Sequence, residues 1–381
     1  MSTTNEAAQA VTAPVATTTE NGITPQTRDF TREELVAAKE DAVQHLLRPN
    51  GNVVGVGIGK QLKGGIAGKD CVRVYVVYKI RDQQALAPKC FVPSHFGNQV
   101  PTDVIEVGRL GRNGRVAGLP DPRWPIESAA GCQPGPAASL LQPGAPIRVK
   151  TNAPNVNEGA RGTLGCVVTD GTNQYILSCN HILRRNGRVP ADPEYANVVS
   201  AYFVGDQPVI AGPRQFVPLN HYRTNLADCG LALVAPGREE VQPTFPGPYK
   251  LTAKTPSCPV KGMKVVKFGA VTGLTKGNIV DADLDLFVDY SFGTFRFTNQ
   301  VLIECGHGSD NFATAGDSGS IVIDEDTKQA VAMIFAASGG FAVACPLDTA
   351  LKELADKAGV GKLELVIAGQ QKETASASRS I

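Results

Sequence analysis

Apolar residues first recur at helical spacing. Leu35, Ala38, Ala42 and Leu46 fall on one face of a helix, Thr31 and Glu34 form a capping-box pattern at its start, and Pro49-Asn50-Gly51 makes a turn after it. The period then shortens. VVGVGIG (53–59), CVRVYVVYKI (71–80) and PTDVIEVG (101–108) are β-type runs bounded by Gly and Pro, so residues 30–111 read as a small α+β unit. Gly55, Gly57 and Gly59 match neither GxGxxG nor GxxxxGK[ST], and no helical pattern follows them. A twisted or bulged strand accounts for them better than a phosphate loop does.

Pro and Gly interrupt all periodicity across 112–160, where GCQPGPAASLLQPGAP stands, which reads as a linker over 112–144. From about 160 to 345 the pattern is short β runs: GCVVTD, YILSC, CGLALV, KVVKFG, FVDY, FRFT, SIVID and AVAMIFA, with no helix-length amphipathic segment between them. An all-β sandwich or barrel is the expectation. TALKELADKA (349–358) adds a closing helix, and the chain from 358 to 381 reads as a tail, like the polar leader 1–29.

Composition narrows the function classes. With 381 residues, 42% hydrophobic and 19% charged, the chain affords a sizeable core without staples. Its 37 basic and 36 acidic side chains leave a net charge of +1, with no dense basic stripe for tracking phosphates, so nucleic acid is not an expected partner. The uncharged stretch 330–345 is broken by Ser338, Gly339 and Gly340 and is too short to span a bilayer, which takes about 20 apolar residues. The leader lacks the basic start and apolar middle of a secretory signal, and a cytoplasmic location is expected. Nine cysteines occur without CxxC or a Cys/His spacing suited to zinc, so no metal or cofactor is expected and buried thiols are.

Three segments carry chemistry: YILSCNHIL (175–183), ADCGLALV (227–234) and AGDSGSIVI (315–323). Amide hydrolysis needs a nucleophile, a base to activate it and an anion to orient that base. Ser318, His181 and Asp228 supply those types. Singly, each has a bland explanation as a turn residue or a satisfied imidazole. Together they follow the order His, Asp, Ser at intervals of 228 − 181 = 47 and 318 − 228 = 90, close to the intervals of about 45 and 93 in one of the known triad orders.

Over about residues 145–357 these segments resemble the catalytic motifs of the trypsin/chymotrypsin family of serine peptidases. KFGAVTGLTKGNIV (267–280) and AVACPLDTAL (342–351) are similar to bacterial, intracellular-type members with an α+β domain before the peptidase. The resemblance implies a double six-stranded β-barrel with the site between barrels, and it implies roles: Ser318 as nucleophile, His181 as base and then acid, Asp228 as the group that orients it. The backbone N–H groups of Gly316 and Ser318 would form the oxyanion hole, Gly316 because a side chain there would obstruct the turn. The implied function is a serine endopeptidase acting on protein or peptide through an acyl-enzyme. The alternatives are a protease-like peptide-binding module with little turnover and a protease whose main substrate is its own linker.

Departures are informative. Ser320 replaces the last Gly of the nucleophile loop. Ile182 follows His181, so the disulfide that secreted members make there is precluded; Cys166 and Cys179 are left as a conceivable pair, with free thiols the expectation. Asp317, which secreted relatives bind with a new N-terminus, needs an internal partner or a cut within 112–160, where Arg123 stands with Arg161 just beyond. By the resemblance Phe312 stands at the base of the specificity pocket, with Asp310 nearby. FAASGG (335–340) resembles the wall that pairs with an extended peptide, giving Ala336, Ala337 and Ser338 as pocket residues. His221, His307 and Cys305 are weaker candidates, read as loop histidines and a structural thiol.

Overall fold

A computed structural model describes residues 29–63, 66–80, 91–111, 141–149, 162–183, 198–200, 209–237, 241–306, 311–338 and 340–367. The leader through residue 28, most of the Pro-rich linker and the last 14 residues, 368–381, lie outside the described residues. In chain order the elements are α1 (Arg32–Leu46), β1 (Val53–Lys63), β2 (Ile66–Val76), β3 (His95–Phe96), β4 (Val100–Glu106), β5 (Pro146–Val149), β6 (Gly162–Thr163), β7 (Cys166–Thr169), β8 (Gln174–Ser178) and α2 (Asn180–Leu183). They continue with β9 (Val198–Ser200), β10 (Val209–Phe216), β11 (Gly230–Val234), β12 (Lys264–Gly269), β13 (Gly273–Tyr290), β14 (Gly293–Cys305), β15 (Ile321–Asp324), β16 (Ala330–Ser338), β17 (Phe341–Pro346), α3 (Leu347–Ala358) and β18 (Glu364–Leu365).

The protein is mostly β. Strands β12, β15, β16, β17, β14 and β13 pair in that order, and β12 also pairs with β13, so the six close into a ring. The ring interior is filled by Val265, Ile279, Val301, Ile303, Phe312, Val322 and Ile334. A second sheet runs β18-β7-β8-β11-β10-β9-β5-β6. Among the described residues its ends stay unpaired, so it is an open eight-stranded sheet where the sequence led to a second six-stranded barrel. Glu364 and Leu365, inside the stretch that composition assigns to a tail, join this sheet against Thr169 and Val168. Leu365 is buried there.

The N-terminal unit grows onto the ring. Strands β13 and β14 form a hairpin whose β13 arm is 18 residues long, and past the ring β13 pairs antiparallel with β1, Gly55 opposite Leu286 and Val56 opposite Asp285. The β1 glycines face side chains rather than phosphate: a Cβ at Gly57 would collide with the Asp281 carboxylate and one at Gly59 with the Arg73 guanidinium. Helix α1, with its Thr31/Glu34 capping box formed, covers β1 and β2 through Leu35, Ala38, Ala42 and Val43. Lys39 reaches across to the hairpin, 2.7 Å from Asp283 and 2.9 Å from Asp285.

Candidate active site

Strand β8 ends in the short helix α2, which carries His181, and Asp228 stands two residues before β11, the neighbour of β8. Pairing of these strands brings the two side chains together although 47 residues separate them. The His181 backbone N–H donates to Asp228 Oδ1 at 3.1 Å, and the ring Nδ1 lies 2.5 Å from Oδ2. Tyr290, at the end of β13, donates its hydroxyl to the same Oδ2 at 2.7 Å and meets the imidazole edge-on with centroids 5.5 Å apart. Burial alone raises the Asp228 carboxyl, but the His181 charge and these hydrogen bonds outweigh it and hold the group below the usual carboxylate range. Burial beside that carboxylate pushes the Tyr290 phenol well up, so it stays a donor. With Nδ1 engaged by Asp228, Nε2 is left buried without a hydrogen-bond partner.

Ser318 sits on the loop between β14 and β15, on the ring. This loop is stitched to the strand end that carries His181. The carbonyl of Ile334 accepts both the Gly319 amide, at 2.8 Å, and the Cys179 thiol, at 3.2 Å. Thr163 donates its amide to the Ser318 carbonyl at 2.8 Å and its hydroxyl to the Gly316 carbonyl at 2.9 Å, while its own carbonyl accepts Ser178 Oγ at 2.8 Å. Gly316 has φ +100° and Gly319 φ +99°, conformations that disfavour side chains. At Gly319 a Cβ would also strike Ser178 and Thr163. Amides 317, 319 and 320 bind Thr314, Ile334 and Asp317, whereas those of Gly316 and Ser318 take no partner among the described residues. Two unoccupied donors therefore flank a buried serine, and the imidazole offers a free acceptor. Ser318 Oγ and Nε2 are not hydrogen-bonded to each other in this state.

Asp317 has its internal partner. Oδ1 accepts the amides of Val271 and Thr272 at 2.9 and 3.1 Å; Oδ2 accepts the Thr272 hydroxyl at 2.7 Å and the Thr314 amide at 3.0 Å. Lys267 of β12 places Nζ 3.4 Å from Oδ2, and both side chains are fully buried. Lys267 also donates to the Thr272 hydroxyl and to the Gly273 carbonyl. Burial pulls the Lys267 ammonium down from its ordinary range, and Asp317 only partly restores it.

The remaining candidates fall elsewhere. Phe312 is fully buried in the ring interior, with Lys267 Nζ 6.0 Å from its ring centre, so it fills the core instead of lining an open pocket. Ala336, Ala337 and Ser338 end β16, all buried, and Ser338 Oγ has no hydrogen-bond partner. His221 is stacked on Phe295, ring centres 4.0 Å apart. His307 and Asp310 lie outside the described residues. Cys166 and Cys179 are free. Cys179, His181 and Asp228 offer three atoms within 4.8 Å of one another, but His181 and Asp228 are engaged with each other and the Cys179 thiol, pushed well up by burial, donates to Ile334. A metal would have to break those bonds. Sequence reasoning missed Tyr290, Lys267 and Thr163; nothing local in FVDY or KVVKFG marks a phenol or an ammonium as turned inward.

No protein-family model and no curated protein matches the chain. Among solved structures it is similar to a glutamic acid specific serine protease that utilizes a novel histidine triad in substrate binding (18% identity, 59% of this chain and 100% of that chain, TM-score 0.39). It is also similar to Thermobifida fusca protease A (19%, 60% and 99%, 0.39) and to Nocardiopsis protease (16%, 59% and 98%, 0.38).

Proposed function

We propose that this chain is a serine endopeptidase of the trypsin-like type, with His181 and Asp228 supplied by the eight-stranded sheet and Ser318 by the ring. The observation that carries this is the buried His181–Asp228 pair with Nε2 left free, joined to the Ser318 loop through the shared Ile334 carbonyl. Ser318 Oγ attacks the scissile carbonyl as its proton passes to Nε2, and Asp228 stabilises the imidazolium that forms. The amides of Gly316 and Ser318 receive the oxyanion; its collapse breaks the C–N bond as the imidazolium hands its proton to the leaving amine, and the resulting acyl-enzyme is hydrolysed by water activated through the same imidazole. Catalytic hydrogen bonds are often long before substrate arrives, so the missing Ser318–His181 hydrogen bond does not count against the pair. Lys267 and Asp317 hold the loop without a newly released N-terminus, so activity requires no activating cut.

A serine-directed phosphonate tests this. It should label the wild type and fail on Ser318→Ala, with labelling slowed at least about 10²-fold in His181→Ala. Equal labelling of the Ser318→Ala chain would sink the assignment.

A further inference from the structure

The end of β16 is paired on both sides. On one side β17 pairs through Val343, Ala342 and Phe341. On the other, the pairing with β15 ends at Ile321 opposite Met333, and the place beyond it is taken by a segment of the N-terminal unit. Residues 107–111 run off the end of β4. The Val107 amide donates to the Val76 carbonyl at 2.9 Å, and Leu110 is buried in the main core. The Leu110 carbonyl accepts the Asp289 amide at 3.1 Å, and the Gly111 carbonyl accepts the Ala337 amide at 3.2 Å. Gly111 thus bridges two strand ends, antiparallel to Ala337 and parallel to Asp289. Arg109 adds an ion pair to Asp289 at 3.6 Å.

Direction gives this pairing its meaning. A strand antiparallel to β16 runs from the Ser338 end toward Ile334, and Ile334 is where the Gly319 amide of the nucleophile loop is bound. Ala337 lies three residues from that point, roughly 10 Å along a strand. A peptide held as Gly111 is held is therefore directed at Ser318 from the side on which an extended substrate would lie. The slot's other wall ends at Tyr290, which touches Asp228.

We propose that residues 107–111 of this same chain occupy the β16 edge at Ala337, the edge that the peptidase reading gives to an extended peptide, and compete there with added peptides. The inference rests on the peptidase reading. A longer peptide displaces the Gly111 carbonyl from the Ala337 amide; a small reagent that reaches Ser318 alone does not.

The test uses the full chain and two Ser318-directed phosphonates, one carrying four residues on the acyl side and one carrying none, followed by amide hydrogen exchange. The long reagent should make the Asp289 amide exchange at least about tenfold faster while Ala337 stays protected by its new partner, and the small reagent should change neither. Attachment of the long reagent with Asp289 protection unchanged would overturn the proposal. Failure of both reagents to attach would instead overturn the peptidase reading, and this inference with it. Leu110→Ala, which loosens the segment, should raise hydrolysis of a six-residue peptide relative to small-phosphonate labelling by roughly tenfold. An unchanged ratio in the folded variant would count against displacement.

Discussion

Two buried carboxylates on the ring-bearing sheet have been solved in opposite ways. Asp317, next to Ser318 in the loop, accepts four hydrogen bonds and faces the Lys267 ammonium. Asp281, on β13 at the joint with the N-terminal unit, accepts the Tyr75 hydroxyl at 2.9 Å and the Asp283 amide at 3.0 Å. The Arg73 guanidinium lies near Asp281 but donates to the Lys60 and Val280 carbonyls. Burial consequently dominates there and raises Asp281 from 3.8 to about 6. The loop that carries Ser318 surrounds its carboxylate with four donors and a cation, and the joint that attaches the N-terminal unit compensates its carboxylate poorly.

Removing the cation from the first site breaks that contrast most severely. Lys267→Met leaves Asp317 charged and buried, which should cost about 3–5 kcal/mol of stability. The carboxylate would then pull the loop toward water, so phosphonate labelling of Ser318 should fall far more than in a surface lysine variant. Chemical denaturation with labelling on the same sample checks both. Normal labelling with unaltered stability would show that Asp317 does not depend on Lys267.

The second site predicts a pH dependence of opposite character. Because Asp281 is harder to ionise folded than unfolded, its contribution is fully present below about pH 4 and is lost as pH rises through about 6. The shift from 3.8 to about 6 amounts to roughly 3 kcal/mol. Asp281→Asn, which keeps a carbonyl for the Asp283 amide, should flatten the stability profile between pH 4 and 6 and stabilise the chain at neutral pH. Denaturation midpoints measured across that window decide it. A wild-type profile that rises from pH 4 to 6, and an Asn variant that follows it, would reject this account of the joint.

The same contrast separates what the chain declares locally from what only the fold reveals. The capping box at Thr31, the β runs of the N-terminal unit, the closing helix and the glycine at 316 follow from local preference, and all are found as expected. The His181–Asp228 pair was legible from the order and spacing of His181, Asp228 and Ser318 and from the resemblance those segments carry. Lys267 and Tyr290 were not legible, since alternation along a strand says that a residue points to one face but not which sheet faces it. The length of β13 was hidden too: KVVKFG and FVDY read as separate short strands, and Gly277-Asn278 looks like a turn, yet residues 273–290 form one strand. Pairing of Gly111 with Ala337 joins positions 226 residues apart (337 − 111), and no local pattern encodes such a contact.

Tyr290 lies where the two regions meet, because the strand that holds the N-terminal unit ends in the phenol that donates to Asp228. Tyr290→Phe keeps the ring against His181, Phe295 and Phe297 and deletes one hydrogen bond to a charged oxygen, an interaction of about 1.5–3 kcal/mol. Labelling of Ser318 should slow by roughly tenfold or more, and the Asp228 carboxyl should move up toward the ordinary range. Measuring the labelling rate beside the unfolding midpoint separates positioning from general loosening. A slower rate only in proportion to lost stability would leave Tyr290 a packing residue.

The smallest effect is expected farthest from the chemistry. Thr31 accepts the Glu34 amide at 3.3 Å, and Glu34 returns a bond to the Thr31 amide at 3.0 Å. Thr31→Ala removes one half of this box at an exposed helix end, for about 1 kcal/mol. Helix α1 grips the hairpin through Lys39 and Arg32 on Asp283, so the loosening should reach β1 and the outer part of β13. It should stop short of the loop at 314–320, whose partners are all on the ring or at Thr163 and Cys179. Hydrogen exchange would show faster amides in residues 53–63 with unchanged protection at Gly319 and Ser320. Equal acceleration at both places would mean that the N-terminal unit and the nucleophile loop open together, and the separation between a compensated loop and a yielding joint would fail.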